Sequence, residues 1–306
     1  MNPTVPSLFL DIQQVSKRYA TKTAVDNLSL QIPQGIIFGL LGPNGAGKTS
    51  LIRMITGITG PDDGQILFQG KPFQESDQQF IGYMPEERGL YKKMKIGEQL
   101  HYLLQLKGMS GKDAETAADY WLSRMEISTW KNRKVEELSK GMQQKIQFIA
   151  TIAHNPRLII LDEPFSGLDP LNSKLVEEVI HELKEKGATI LFSTHRMEQV
   201  EQLCDEIALI NKGKVVLEGN VKEIRTRYRK SIYNIQLEEE SHLPELTGME
   251  VIARNGKEYQ VKLSDNLDSR TFIREMNESC RIQKIELHLP SLSDIFIEVV
   301  SNQAAK

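Results

Sequence analysis

Cysteine is scarce in this chain, with two residues among 306. Cys204 and Cys280 stand far apart and in no metal-ligand spacing, which excludes a disulfide scaffold and fits reduced, packed thiols in a cytoplasmic protein. Long hydrophobic runs are missing too. None approaches the roughly 18 residues of a membrane-crossing helix, so any membrane association is expected to come through a partner. The start, MNPTVPSLFLDI, lacks both a basic opening and a long apolar centre, and no secretion signal is expected. Positive charge is not in excess: 38 Lys and Arg stand against 41 Asp and Glu, a net charge of −3, which argues against bulk attraction to nucleic acid. Low-complexity tracts and sustained heptads are absent as well. What remains is ordinary for a globular protein, 40% apolar and 26% charged, and long enough for two domains with cores of their own.

One segment carries clear chemistry. Gly42-Pro43-Asn44-Gly45-Ala46-Gly47-Lys48-Thr49, followed by Ser50, fits G-x-x-x-x-G-K-[ST] in full. It follows the apolar run Ile36–Leu41 and precedes the periodic Leu51, Ile52, Met54 and Ile55, the strand–loop–helix setting that this motif requires. Glycines let successive N–H groups and the helix N-terminus face phosphate oxygens. Lys48 would neutralise the β- and γ-phosphates, and Thr49 would offer its hydroxyl to Mg²⁺.

A second segment, Leu138 to Asp169, joins a Ser/Gly turn opening a helix to a buried strand, Leu158–Leu161, that ends in Asp162 and Glu163. Pro164 stops the strand. Such an Asp holds Mg²⁺ in phosphate-loop ATPases, and an adjacent Glu can poise a water.

The organisation is α/β. Strand-like runs occur at Leu8–Val15, Ala24–Ile32, Ile36–Leu41 and Gln65–Gln69, with turn signals at Pro33-Gln-Gly35 and Asp62-Asp-Gly64. From Ile96 to about Met125 the spacing turns helical, through Leu100, Leu103, Leu104, Leu106, Ala117, Ala118, Trp121 and Leu122. Alternation then resumes: helices near Met142–His154, Leu171–Lys186 and Met197–Leu203, strands at Leu158–Leu161 and Ala188–Phe192, and a hairpin turning at Lys212-Gly213. This pattern predicts a mainly parallel, covered sheet. Near residue 222 the texture changes. The basic run Lys222–Lys230 is either a solvated helix face or a surface for anionic lipid. Beyond it, a strand near Ile232–Leu237, a hairpin at Asn255-Gly256, a helix near Arg270–Asn277, a strand near Ile282–Leu287 and a short helix after Pro290 make a small α+β unit.

The phosphate loop, the Leu138-Ser-Lys-Gly-Met142 turn, Leu158-Ile-Ile-Leu-Asp-Glu-Pro164, Ser166-Gly-Leu-Asp169 and His195 at a strand end, in that order, resemble an ABC-type ATPase. The resemblance covers roughly the first 220 residues. It implies a P-loop ABC-type nucleotide-binding domain over residues 1–221, with a helical subdomain over about 92–155, followed by the α+β accessory domain over 222–306. The run Glu86-Glu-Arg-Gly-Leu-Tyr91, together with the C-terminal unit, resembles the ATP-binding subunits of bacterial exporters of the sodium-extrusion type.

Roles follow from the resemblance. Tyr19 would stack on adenine, the alternative being an aromatic that closes a strand edge. The cofactors implied are ATP and Mg²⁺, with Thr49, Glu86 and Asp162 around the metal. Glu163 would polarise the attacking water, and His195 would sense the γ-phosphate. Ser139 and Gly141 would serve the ATP of a twin subunit. Asp169 would link the two sites while also reading as a helix N-cap. Two departures stand out. The family usually carries Gln where this chain has Glu86, so a carboxylate adds attraction for Mg²⁺ and repulsion for phosphate, each about 3 kcal/mol at ~5 Å and an effective dielectric of ~20; a solvated loop residue is the alternative. In the turn, Lys140 and Met142 replace the usual Gly and Gln, and Gln143 could substitute for the latter.

The expected function is ATP hydrolysis by the subunit of an exporter, with sodium as possible cargo. Partners are a homodimeric twin and a membrane-spanning permease on a separate chain, and the chain would sit at the inner face of the cell membrane. The helical insert and the Glu86 loop would dock the permease. The alternative is a soluble ABC-type ATPase acting on ribosomes or DNA.

Overall fold

The computed structural model describes residues 7–87 and 89–304, with side chains to residue 301. The chain forms two compact units, one ending at Val221 and one beginning at Lys222. In chain order the first holds β1 (Leu8–Tyr19), β2 (Lys22–Pro33), β3 (Ile37–Leu41), α1 (Lys48–Ile55), β4 (Asp63–Phe68), β5 (Lys71–Pro72), β6 (Ile81–Met84), α2 (Ile96–Leu106), α3 (Gly111–Arg124), α4 (Lys140–Ile152), β7 (Leu158–Asp162), α5 (Pro170–Glu185), β8 (Thr189–Thr194), α6 (Met197–Leu203), β9 (Glu206–Asn211) and β10 (Lys214–Asn220).

Every residue of β3, β7 and β8 is buried. Continuous apolar strands of this kind suit the middle of a sheet covered on both faces. They form the centre of a six-stranded sheet ordered β10-β9-β3-β8-β7-β6, parallel except for the β9–β10 hairpin. The sequence pattern predicts a mainly parallel sheet, but neither its edge strand β6 nor the neighbouring sheet. β1, β2, β4 and β5 pair separately as an antiparallel sheet. A shared core joins the two through Ile12, Val15, Leu30, Phe38, Leu51, Ile52, Ile160 and Leu191.

β1 outruns the expected Leu8–Val15. A register shift between Ile12 and Val15, with Gln14 at φ 50°, breaks the alternation without ending the strand. The Asp62-Asp-Gly64 turn signal is absorbed in part: Gly64 is a strand residue at φ 79°, and a Cβ there would sit 2.4 Å from the carbonyl oxygens of Gln13 and Gln14. The helical insert is two helices, α2 and α3. Leu100, Leu104, Ala118, Trp121 and Leu122 are buried, whereas Leu106 at the end of α2 is 65% exposed.

Helix α7 (Val221–Arg227) begins on the last residue of the first unit, and the second unit holds the rest of it with β11 (Ile232–Leu237), β12 (Met249–Asn255), β13 (Glu258–Leu263), α8 (Ser269–Ser279), β14 (Ile282–Leu287) and α9 (Leu292–Ala304). Its antiparallel sheet is ordered β12-β13-β11-β14, with β12 and β13 meeting at Gly256. Phe272 and Met276 of α8 share a core with Ile235, Leu237, Val261 and Leu263. The helix after Pro290 is not short. It runs 13 residues, and Ser291 and Asp294 cap it reciprocally: each side chain accepts from the other's backbone N–H, at 3.1 Å in both directions. The basic run is partly engaged, with Arg225 donating to Pro290 O at 3.0 Å and Lys230 paired to Glu298 at 2.9 Å.

Candidate functional site

The turn between β3 and α1 is built from glycine for two reasons. Gly42 and Gly47 stand at φ 149° and 115°, and a Cβ at either would come within 2.2 or 2.3 Å of the carbonyl oxygen of Ile210 or Ala24. No other residue fits both the conformation and the space. Gly47 caps α1, leaving the N–H groups of its first turn free to face a ligand. Lys48 folds back over this loop, donating Nζ to Gly42 O at 2.6 Å and Pro43 O at 3.3 Å. Lys22, on β2, braces it from outside through Gly45 O at 3.2 Å.

A cleft of about 470 Å³ opens here. Tyr19, Lys22, Ala24, Asn44 to Ser50, Glu86, Asp162, Glu163 and His195 line it. Residues far apart in sequence thus meet at one place. Burial lowers the Lys48 pKa, while Asp162, Glu163 and Glu86 act to raise it. Asp162, 5% exposed at the end of β7, is pushed up chiefly by burial, with Glu86 and Glu163 adding to the rise and Lys48 opposing it. Three carboxylates and the hydroxyls of Thr49 and Ser50 line one cleft with the Lys48 ammonium; among the described residues no three His, Cys, Asp or Glu side chains converge closely enough to hold a metal by themselves, so Mg²⁺ here would need phosphate and water oxygens to complete its shell. Tyr19 ends β1 at the rim, 43% exposed, its ring free to stack.

Glu163 is fixed through both its backbone and its carboxylate. Its backbone stands at φ 51°, a conformation unfavourable for a non-glycine residue and common at functional positions. Thr194 donates Oγ1 to Oε2 at 3.0 Å, and the His195 N–H donates to Oε1 at 2.9 Å. The His195 ring lies against the same oxygen, Nδ1 to Oε1 being 2.7 Å. The expected phosphate sensor and the expected base are therefore direct partners.

Ser139, Gly141 and Asp169 do not line the cleft. Ser139 caps α4, accepting from Met142 N at 3.2 Å, and Gly141 packs against the Gly167 carbonyl. Asp169 caps α5, accepting from Asn172 N at 2.9 Å. Lys140 is exposed at the first position of α4. Gln143, next to Met142, donates its amide to Leu138 O at 3.2 Å. Arg88, in the run after Glu86, lies outside the described residues.

Sequence reasoning missed Lys22, Thr194 and two buried carboxamides on α4, Gln144 and Gln147. Thr194 had a signal, since it directly precedes His195. The others act on backbone carbonyls, which leave no pattern.

Residues 25–166 match the family model described as ABC transporter, and residues 219–300 match that of the ATP-binding protein DrrA1-3-like C-terminal domain. An uncharacterized ABC transporter ATP-binding protein of Bacillus subtilis, YhaQ, is 46% identical over 95% of this chain and 98% of its own length. The chain belongs to the ABC transporter ATP-binding proteins. As a member it binds ATP and is an ATPase. The Nod factor export ATP-binding protein I of Burkholderia thailandensis is 37% identical over 69% of this chain and 70% of its own. A solved ATP-binding subunit of an ABC transporter superposes with a TM-score of 0.67 at 30% identity, over 72% of this chain and 93% of that one.

Proposed function

We propose that this ABC ATPase is the energy-converting subunit of an export system, acting as a homodimer on a permease carried by a separate chain at the inner face of the membrane. The carrying observation is the cleft, where Lys48, Asp162 and the Glu163–His195 pair converge. The Burkholderia relative is named for export, and among the described residues no helix is long and apolar enough to cross a membrane.

In this reading the Gly42–Ser50 loop and Lys48 bind the phosphates of ATP, and Tyr19 stacks on its base. Thr49, Asp162 and Glu86 would hold Mg²⁺, which would supply neutralisation of charge developing on the phosphates. Glu163 accepts a proton from the attacking water. Thr194 and the His195 amide fix its carboxylate, and the His195 ring keeps contact between Glu163 and the γ-phosphate. Glu86 brings a full charge where an amide is usual, so the site depends more steeply on Mg²⁺. Ser139 and Gly141 point to a second chain, because they present a capped helix N-terminus outside the cleft of their own chain. The helical insert and the Glu86 loop dock the permease.

Glu163→Gln tests the chemistry. Its hydrolysis should fall by roughly two orders of magnitude or more, with ATP affinity retained and dimers accumulating in sedimentation. Unchanged turnover would reassign the base. Co-purification from detergent-solubilised membranes tests the permease, which should appear by mass. For cargo, we propose Na⁺, resting on the Glu86–Tyr91 run and the C-terminal unit. ATP-driven ²²Na⁺ movement in vesicles holding the permease should vanish with Lys48→Ala; ATP turnover with no Na⁺ movement would leave the exporter and remove this cargo.

A further inference from the structure

Helix α4 reaches both acidic segments of the cleft through side chains that are themselves buried. Gln144, 2% exposed, donates Nε2 to Glu163 O at 3.2 Å and to Pro164 O at 3.1 Å. Gln147, one turn further and 5% exposed, donates Nε2 to Pro85 O at 2.7 Å and to Glu87 O at 3.4 Å. Those two carbonyls flank Glu86. At the far end of the same loop, the fully buried Gln99 of α2 accepts from Tyr91 N at 2.9 Å.

We infer that Gln144 and Gln147 are positioning residues for ATP hydrolysis, tying the helix that Ser139 opens to the peptide groups that carry Glu163 and Glu86. A shift of α4 then moves both carboxylates without touching either side chain. Gln144 and Gln147 lie three positions apart on one helix face, and each spreads a single NH₂ group over two carbonyls. The link is not a relaxed one. Gln147 Oε1 and Gln99 Nε2, an acceptor and a donor at opposite ends of the loop, are buried without partners among the described residues. Burial without a partner is unfavourable for each, so the loop is held in place by clamps that are only half satisfied. The inference rests on the roles proposed for Glu163 and Glu86.

Gln147→Met, made in the full chain, keeps the length of the side chain and removes the donor. Amide hydrogen exchange over residues 86–91 should quicken, with exchange elsewhere and the melting temperature unchanged. The kcat should fall roughly 10- to 100-fold, as misplacement by about an ångström does, while ATP affinity measured in EDTA stays within about twofold. Gln144→Met should do the same at residues 163–168. Gln147→Lys restores a donor of similar reach, as Lys107 supplies to Gln78 O and Ile81 O, and should recover loop protection and part of kcat. Unaltered exchange at both segments overturns the inference, as does faster exchange over the whole chain, which would make both residues mere packing. Normal turnover in Glu163→Gln would remove the role of that carboxylate instead, so the two readings fail separately.

Discussion

His154, in the turn just after α4, is kept neutral by its surroundings. Burial and the nearby Lys107 ammonium lower its pKa to about 4, against only a weak opposing pull from Ile81 O, 3.3 Å from Nε2. The unfolded chain titrates near the ordinary 6.5. Between these values the unfolded state binds a proton that the folded state refuses, so stability falls as pH drops from about 6.5 to 4, by roughly 3 kcal/mol in all. His154→Gln retains an N–H donor and removes the titration. Urea midpoints at pH 7 and 4.5 should then differ less than in the parent; parallel losses would place the proton elsewhere. At this scale the sequence was legible where chemistry has a spacing. Gly42 to Ser50, Asp162, Glu163 and His195 could be picked out because residue type and order alone define them. Gln144 and Gln147 could not, since their partners are main-chain carbonyls 19 and 62 positions away, and any residue supplies a carbonyl.

At the scale of elements, β6 is the strand that delivers Glu86, and its seat is set by Gly82. A Cβ there would stand 2.2 Å from Thr151 O and 3.0 Å from Pro156 Cγ. β6 is an edge strand, so it could yield only by moving away from α4, taking the Glu86 loop off Gln147. Gly82→Ala should cost about 2 kcal/mol or more by overpacking, read as a lower urea midpoint, and should slow turnover as well. A midpoint equal to the parent's would show that the strand relaxes freely. Among the parallel strands, β3, β7 and β8 were plain in the sequence as short apolar runs bounded by turn or helix signals, whereas β6, only four residues long, was not read as a strand. β1 was legible only as far as Val15, because the register shift around Gln14 interrupts the alternation on which strand reading depends. The antiparallel sheet escaped for a related reason: pairing partners such as Leu10 and Phe68 are joined only by the folded chain.

The whole molecule poses a question that one cleft cannot answer. Lys48, Asp162 and Glu163 gather in it, yet the Ser139 turn opens a helix outside it. If a second copy supplies that turn, each site mixes two chains, as a two-fold interface demands when the same patch serves both partners. Lys48→Ala and Ser139→Arg chains should each be nearly inactive alone. Mixed one to one, half the dimers pair unlike chains, and each of those holds one site with both Lys48 and Ser139 intact, so turnover should return to about a quarter of the parental rate. Losing the cap on α4 costs about 1 kcal/mol by itself, so Ser139→Ala is the control for helix stability. A silent mixture has two meanings, and sedimentation separates them. Dimers of the Glu163→Gln chain forming with ATP would mean that both sites must fire together. No dimer under those conditions would mean that the Ser139 turn serves something other than a twin.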